Sequence, residues 1–358
     1  MTRVIIGYHA NLSIILLELA VLKKTILVLV TILLTSAAHG REPLKLSNDA
    51  WPPFIISGKQ QGTAEQLVCE ALERSGWSCS VEVNEWENVL NEVRIGVIDG
   101  VAAAWRTPDR ETYLLFSEPY LTNRIIPVIS NSNPFSISSL EDLAELRVAM
   151  VKDYAYGDEI EAAAVNFETL DVRNSSRAMK SVLQGKADVA LVDELVARDE
   201  LYKSEMSGLT ALETVLAFRS LHLAISRRNP LAQAIVDDFQ RAYKLMLADG
   251  RVNEILNVDW LATDFGQPGE LNVVMRSGSS LDDLSNPSNT GSVYALENSE
   301  YQMMRSRSLD KSSVNYQLEG RSYSSLQTAL EEVFGKDTVC KHKNYTSQFD
   351  CTDLFKKR

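Results

Sequence analysis

The residues of this chain best suited to chemistry are charged and aromatic side chains gathered in three short segments. The first is Trp51-Pro52-Pro53-Phe54. The second runs from Gly96-Val97-Ile98-Asp99-Gly100 through Arg106-Thr107-Pro108-Asp109-Arg110 to Phe116-Ser117-Glu118-Pro119-Tyr120. The third is Gly185-Lys186-Ala187-Asp188-Val189-Ala190-Leu191-Val192-Asp193. A guanidinium presents two parallel donors to a carboxylate, and indole or phenol faces add contact area and attract cations. Sets that break bonds do not stand out beside these segments. There is no Ser-His-Asp or Cys-His arrangement and no glycine-rich phosphate loop. The four histidines, His9, His39, His222 and His342, are scattered, and Asp158-Glu159 reads as a solvated acidic helix start. Recognition is the chemistry on offer, with no catalytic residue, metal or cofactor expected.

Positioning such residues requires a rigid scaffold, and the sequence supplies one in a repeating rhythm. Strands are expected at Leu44–Leu46, Ser80–Val83, Gly100–Ala104, Arg147–Val151, Leu170–Val172 and Asp188–Val192. Helices fall between them at Gly62–Ser75, Trp86–Ile95, Tyr156–Ala163, Ser176–Leu183 and Glu194–Tyr202. Strands separated by helical segments of this length imply parallel sheet with covering helices. Two further extended pieces, Ile125–Ser130 and Ser220–Ser226, are candidate crossovers between two lobes. Pro230 suits a helix start, and Ala234, Ile235, Phe239, Ala242 and Met246 recur at helical spacing towards Trp260. Asp99 and Asp188 are expected to serve turns, and Trp86 and Phe116 to pack in the core.

In series, these motifs resemble those of the family 3 extracellular solute-binding proteins, the polar amino-acid receptors of ABC importers. The resemblance covers residues 42–260: an aromatic-x-Pro-Phe opening, a Gly-x-x-Asp strand, Thr-x-x-Arg, Phe-Ser-x-Pro-Tyr and a second Gly-x-x-Asp strand. It implies a bilobal α/β fold of the type II periplasmic-binding-protein kind, two lobes joined by two crossover strands with the ligand in the cleft. It also implies roles. Arg110 stands at the carboxylate clamp, with a surface ion pair to Asp109 or Glu111 as the alternative. Asp193 stands at the ammonium-binding acid, with a helix N-cap as the alternative. Trp51 stands where an aromatic covers the ligand side chain, with core packing as the alternative.

The chain also departs from the family pattern. Ala102-Ala103-Ala104-Trp105 replaces the stretch where two hydroxyl side chains normally line the cleft, so Ala103 and Trp105 fall at ligand-contact positions. Asp153-Tyr154-Ala155-Tyr156-Gly157 replaces a Gly-Ser/Thr turn that would serve the ligand carboxylate, and an acid there would repel it. Trp51, Trp105, Tyr154 and Tyr156 together suit a bulkier, aromatic-compatible or cationic ligand.

The chain has 358 residues, 36 basic against 48 acidic, and a formal charge of -12. That balance disfavours nucleic acid or anionic lipid as a partner. Lys23-Lys24, the apolar run Ile26–Leu34 and the small residues Ser36 to Gly40 read as a cleavable export signal. The boundaries expected are 1–40 for the N-terminal extension and signal, 41–124 for lobe 1, 125–219 for crossover and lobe 2, 220–263 for the return, and 264–358 for a tail. Residues 276–325, rich in Ser, Asn and Asp, are expected to be a flexible linker, followed by a short helix at Ser325–Phe334. Cys69 and Cys79, and Cys340 and Cys351, form two close pairs that fit local disulfides in an exported chain. The resemblance leads to a monomeric periplasmic receptor that closes on a small polar ligand, an amino acid or related zwitterion, and serves an ABC permease. A sensor module signalling to an inner-membrane partner, and an enzyme on the same scaffold, are the alternatives.

Overall fold

Short apolar runs bounded by glycine and aspartate turns become the strands of a ten-stranded mixed sheet. The computed structural model describes residues 43–265, 267, 270–287, 293–296, 314–345 and 349–351. The export signal expected in residues 1–40 lies outside the described residues. No helix among those described is long and apolar enough to cross a membrane.

The strands are β1 (Leu44–Asn48), β2 (Cys79–Val83), β3 (Gly100–Trp105), β4 (Leu114–Phe116), β5 (Leu121–Ser130), β6 (Arg147–Val151), β7 (Glu168–Val172), β8 (Val189–Asp193), β9 (Leu209–Ala211) and β10 (Ala217–Ser226). Their order is β2-β1-β3-β10-β5-β8-β6-β7, with β4 beside β10 and β9 beside β5. β1 pairs in parallel with β2 and β3, and β6 with β7 and β8. Parallel neighbours need crossover connections, supplied here by the helices Thr63–Arg74 and Trp86–Ile95 in one lobe and Ser175–Leu183 in the other. Turn aspartates lock the strand entries. Asp99 accepts from the Lys45 amide (2.9 Å) and the Asn229 side chain (2.8 Å), and Asp188 from the Arg147 amide (2.9 Å) and guanidinium (2.7 Å).

The lobes are joined by the two longest strands. β5 and β10 pair antiparallel over Leu121–Ile125 and Ala217–Leu221 and then diverge, β5 onto β8 and β10 onto β3. Both begin several residues before the apolar runs that announce them in the sequence. Thr122, Asn123 and Arg124 in β5 are polar yet buried, so hydrophobic patterning alone cannot place them in a strand.

Beyond β10 the structure corrects two expectations. The helical stretch expected from Pro230 to Trp260 is two helices, Ala232–Ala248 and Arg251–Leu256, broken at Gly250 (φ 79°). Trp260 then opens β11 (Trp260–Thr263), which joins β12 (Leu271–Met275), β13 (Val293–Ala295), β14 (Val314–Leu318) and β15 (Arg321–Tyr323) in a second sheet of order β13-β11-β12-β14-β15. The stretch expected to be a linker thus contributes three strands. A one-faced strand needs few apolar residues. Val314, Tyr316 and Leu318 alternate with half-buried polar neighbours, and composition averages that alternation away. The sheet has its own core around Trp260, Val273, Tyr316 and Leu330, and the helix Leu326–Phe334 packs on it.

Both cysteine pairs are disulfides, Cys69–Cys79 and Cys340–Cys351. The first ties the helix Thr63–Arg74 to β2 across a separation of 10 residues. Opening it in a Cys69→Ala/Cys79→Ala variant is expected to lower the unfolding free energy by about 3 kcal/mol on loop entropy. The check is a lower unfolding free energy from urea titration, with a slope that rises as the freed unfolded chain exposes more surface.

Candidate functional site

The site is built at the ends of β1 and β3, where open α/β sheets place their ligands. Asn48, the last residue of β1, donates to the Ala103 carbonyl (2.8 Å) and accepts from the Ala103 amide (2.9 Å), so the two strand ends are locked together. The next residues form a tight turn in which the Trp51 amide donates to the Ile55 carbonyl (3.0 Å). The helix Thr63–Arg74 starts directly on this turn, with Thr63 and Ala64 amides donating to Pro53 and Phe54. Only glycine fits before it, because a Cβ on Gly62 would lie 2.1 Å from the Phe54 oxygen. Trp51 is thereby held against Trp105, the last residue of β3, with ring centroids 5.6 Å apart.

Arg110 is set by the short helix Pro108–Glu111, capped by Thr107, whose hydroxyl accepts from the Arg110 amide (3.2 Å). Its side chain is buried, 6% exposed. Its guanidinium donates to the Trp105 carbonyl (2.8 Å) in one lobe and the Asp153 carbonyl (3.2 Å) in the other, and it lies 5.1 Å from the centre of the Trp86 ring. Asp109 and Glu111 do not pair with it but with Arg94 and Arg106. Among the described residues no carboxylate lies within ion-pair distance of Arg110. Burial lowers its pKa, yet a guanidinium stays charged.

The second lobe contributes the loop after β6. Asp153 takes left-handed backbone (φ 63°) and Gly157 a positive φ of 106°. A Cβ on Gly157 would lie 2.5 Å from the Arg219 guanidinium, so glycine lets the loop close on β10. The loop carries Tyr154 into the cleft, 5.7 Å from Trp51 and 5.4 Å from Trp105 between ring centres. The Tyr154 hydroxyl donates to Asp49 (2.7 Å), whose carboxyl burial pushes above the usual carboxylate range. Asp49, Trp51, Trp86, Ala103, Trp105, Arg110 and Tyr154 line one cavity of about 20 Å³, room for about one water. Among the described residues the indole nitrogens of Trp51 and Trp86, two of the lining residues, are buried without hydrogen-bond partners, which is uncommon for buried donors.

Of the residues singled out in the sequence, Arg110, Trp51, Trp105, Tyr154 and Ala103 are brought together. Tyr156 and Asp193 are not in the lining. The Tyr156 ring backs Trp105 at 5.8 Å, while its hydroxyl accepts from the Val151 amide (3.0 Å) and donates to the Leu191 carbonyl (3.3 Å). Asp193 is the N-cap of the helix Glu194–Leu201. One oxygen accepts from the Leu195 and Val196 amides, the other from the Asn123 side chain (2.9 Å) and the Arg124 amide (3.2 Å). Both oxygens are therefore engaged, and burial raises its pKa to about 6. The acid facing the cavity is instead Asp49, two positions before Trp51. Asp153 presents its carbonyl to Arg110 and is exposed. Two other residues escaped the sequence analysis. Trp86, expected in the core, faces Arg110 from a helix start. Asn123, hidden in a strand, accepts from the Trp105 indole (2.7 Å) and so links the cleft to Asp193.

Two α/β lobes joined by β5 and β10, with a buried cation, a buried acid and aromatic rings between them, define a binding protein of the type II periplasmic fold. The chain belongs to the bacterial extracellular solute-binding proteins, family 3, which it matches over residues 46–262. It is similar to the virulence sensor protein BvgS of Bordetella pertussis, 25% identical over 149 residues, 40% of this chain but only 12% of that protein's length. It is also 22% identical over 218 residues to the L-cystine-binding protein TcyA of Bacillus subtilis, covering 60% of this chain and 79% of the relative. Among solved structures, an ancestral arginine-binding protein bound to arginine shares the fold, with a TM-score of 0.54 and 22% identity over 61% of this chain and 98% of that one.

Asp193→Ala should destabilise the protein by about 2–4 kcal/mol, through a lost helix cap and buried donors left without an acceptor. Because the folded pKa, about 6, stands above the ordinary aspartate value of 3.8, the folded state holds this proton more tightly than the unfolded chain. The Asp193 contribution to stability therefore falls as pH rises through that window. Urea titrations of wild type and Asp193→Asn across it should show the difference in unfolding free energy declining.

Proposed function

We propose that this protein captures an α-amino acid with a cationic or aromatic side chain between its lobes, without chemical turnover. The observation that carries this is Arg110, a buried guanidinium whose acceptors are one carbonyl from each lobe rather than a carboxylate. A ligand carboxylate offers that fork two parallel acceptors and a full negative charge, a stronger partner than a carbonyl. Asp49 is the acid available to the positive group, and Trp51, Trp86, Trp105 and Tyr154 supply faces for a cation or ring. Ala103 and Trp105, standing where hydroxyls are expected, leave selectivity to these faces. Closure draws on the same groups, since Arg110–Asp153 and Asp49–Tyr154 both cross between lobes. A ligand shifts the lobes towards closure by as much as it binds the closed form better.

Delivery to an ABC permease in the inner membrane is the first role proposed, in keeping with the cystine-binding relative. Sensing is the second reading, supported by the likeness to BvgS and by the second sheet packed beside the hinge, four of whose five strands lie beyond residues 46–262.

Thermal unfolding with millimolar L-arginine, L-lysine, L-histidine, L-phenylalanine or L-tryptophan provides the test. Binding at a hundred times Kd adds about 2.7 kcal/mol to stability, so at least one should raise the melting temperature. Arg110→Ala should weaken that amino acid at least about thirtyfold, from the cost of truncating one side of a buried charge contact. A flat response to the whole set would overturn the proposal.

Acidity gives a second check. Asp49 must be ionised to hold a cation, and burial has raised its pKa. Affinity for L-arginine should therefore fall as pH drops from neutral towards that raised value. Titration calorimetry of Asp49→Asn should show weaker binding from which this pH dependence is missing.

A further inference from the structure

Three consecutive residues of the hinge strand β5 each touch a different part of the molecule. The Thr122 carbonyl accepts from the Tyr294 hydroxyl of the second sheet (3.3 Å). Asn123 joins Trp105 in the cleft to Asp193 at the start of a second-lobe helix. Arg124, 4% exposed, donates to Glu194 at that same helix start (3.1 Å) and to the Ala295 carbonyl of β13 (2.7 Å), with its guanidinium 4.6 Å from the centre of the Tyr294 ring. β13 is an edge strand held on its other side by β11, in register Leu261 with Tyr294 and Ala262 with Ala295. One buried guanidinium thus grips the second lobe and the second sheet at the point where the lobes join.

We propose that Arg124 couples the opening angle of the cleft to the seating of β13, so that the second sheet reads, and in return sets, the position of the lobes. The proposal rests on β5 and β10 being the hinge of a closing cleft. Moving the helix Glu194–Leu201 away from β13 must break the Arg124 contact to Glu194 or that to Ala295, or drag the strand with it. Losing Glu194 separates a buried ion pair, the costlier break; losing Ala295 and the Tyr294 face frees β13. The neighbouring Trp105–Asn123–Asp193 chain brings the cleft wall to the same helix cap, so displacement of Trp105 and displacement of β13 act on one element. Such coupling is reciprocal: whatever loosens β13 must also change the equilibrium between lobe positions.

The test needs no ligand. Spin labels are placed on cysteines at Val97 in the first lobe and Val165 in the second, which are 62% and 83% exposed. The natural cysteines are held in disulfides, so labelling is confined to these sites. Interlobe distances are measured by pulsed double electron resonance on the full chain and on the same chain with Tyr294→Ala, Tyr294→Phe or Arg124→Lys. The expected result is a broadened or longer distance distribution for Tyr294→Ala and Arg124→Lys, and a smaller change for Tyr294→Phe, which keeps the ring face against Arg124 and loses the hydroxyl with its bond to Thr122. In parallel, Glu194→Gln should raise hydrogen exchange at the β13 amides at least tenfold. If Tyr294→Ala does not fold by near-UV circular dichroism, the two milder variants decide. Interlobe distributions unchanged in folded variants, with β13 exchange unaltered in Glu194→Gln, would overturn the coupling. L-Arginine is then added to the wild-type labels. Movement with L-arginine but not with the variants sinks the coupling alone; movement with the variants but with none of the amino acids sinks the ligand assignment alone.

Discussion

A guanidinium taken out of water must find acceptors, and the cleft is organised around that requirement at Arg110. Thr107 and Pro108 fix the turn that aims the side chain inward, the end of β3 supplies one carbonyl, and the loop after β6 supplies the other. Two carbonyl dipoles satisfy hydrogen bonds without cancelling the charge, so the site retains an electrostatic preference for an anion. Trp86 beneath the guanidinium and Tyr154 beside it keep solvent away and sharpen that preference. The second lobe is therefore part of the binding site rather than a cover for it.

The two acids near the strand ends show how neighbouring geometry assigns roles to identical chemistry. Asp193 lies at the end of β8 with a helix starting immediately after it, and the orphan amides of that helix claim one oxygen while Asn123 and the β5 amide claim the other. Asp49 follows β1, where the chain turns through two prolines before its helix begins, so no helix amides compete for its carboxylate. Its partner is a hydroxyl from the opposite lobe, which can be exchanged.

Much of the fold was legible because the apolar runs of β1, β3, β6 and β8 and the helices between them carry clear periodicity, and turn aspartates mark the strand entries. The polar start of β5 was not, since Thr122, Asn123 and Arg124 are buried by tertiary partners that no local pattern announces. The last three strands of the second sheet were hidden for a related reason: they are three to five residues long, and the burial of β13 and β14 alternates along the strand. At the site, motifs located Arg110 and Trp51, because the turn chemistry around them is local. Asp49, Trp86 and Asn123 become site residues only when β1, β3, β5 and the loop after β6 meet, and that meeting is a property of the sheet order.

The seat of Arg124 on β13 has a consequence for how the molecule behaves among its neighbours. An open sheet edge offers unpaired backbone groups to any passing strand. Here the Ala295 carbonyl on the outer edge of β13 is occupied by a charged side chain from the same molecule. The opposite edge, β15, is only three residues long and opens with Arg321. The second sheet is thus blunted at both ends, by a guanidinium on one and by brevity and charge on the other, and edge-to-edge aggregation has little to build on.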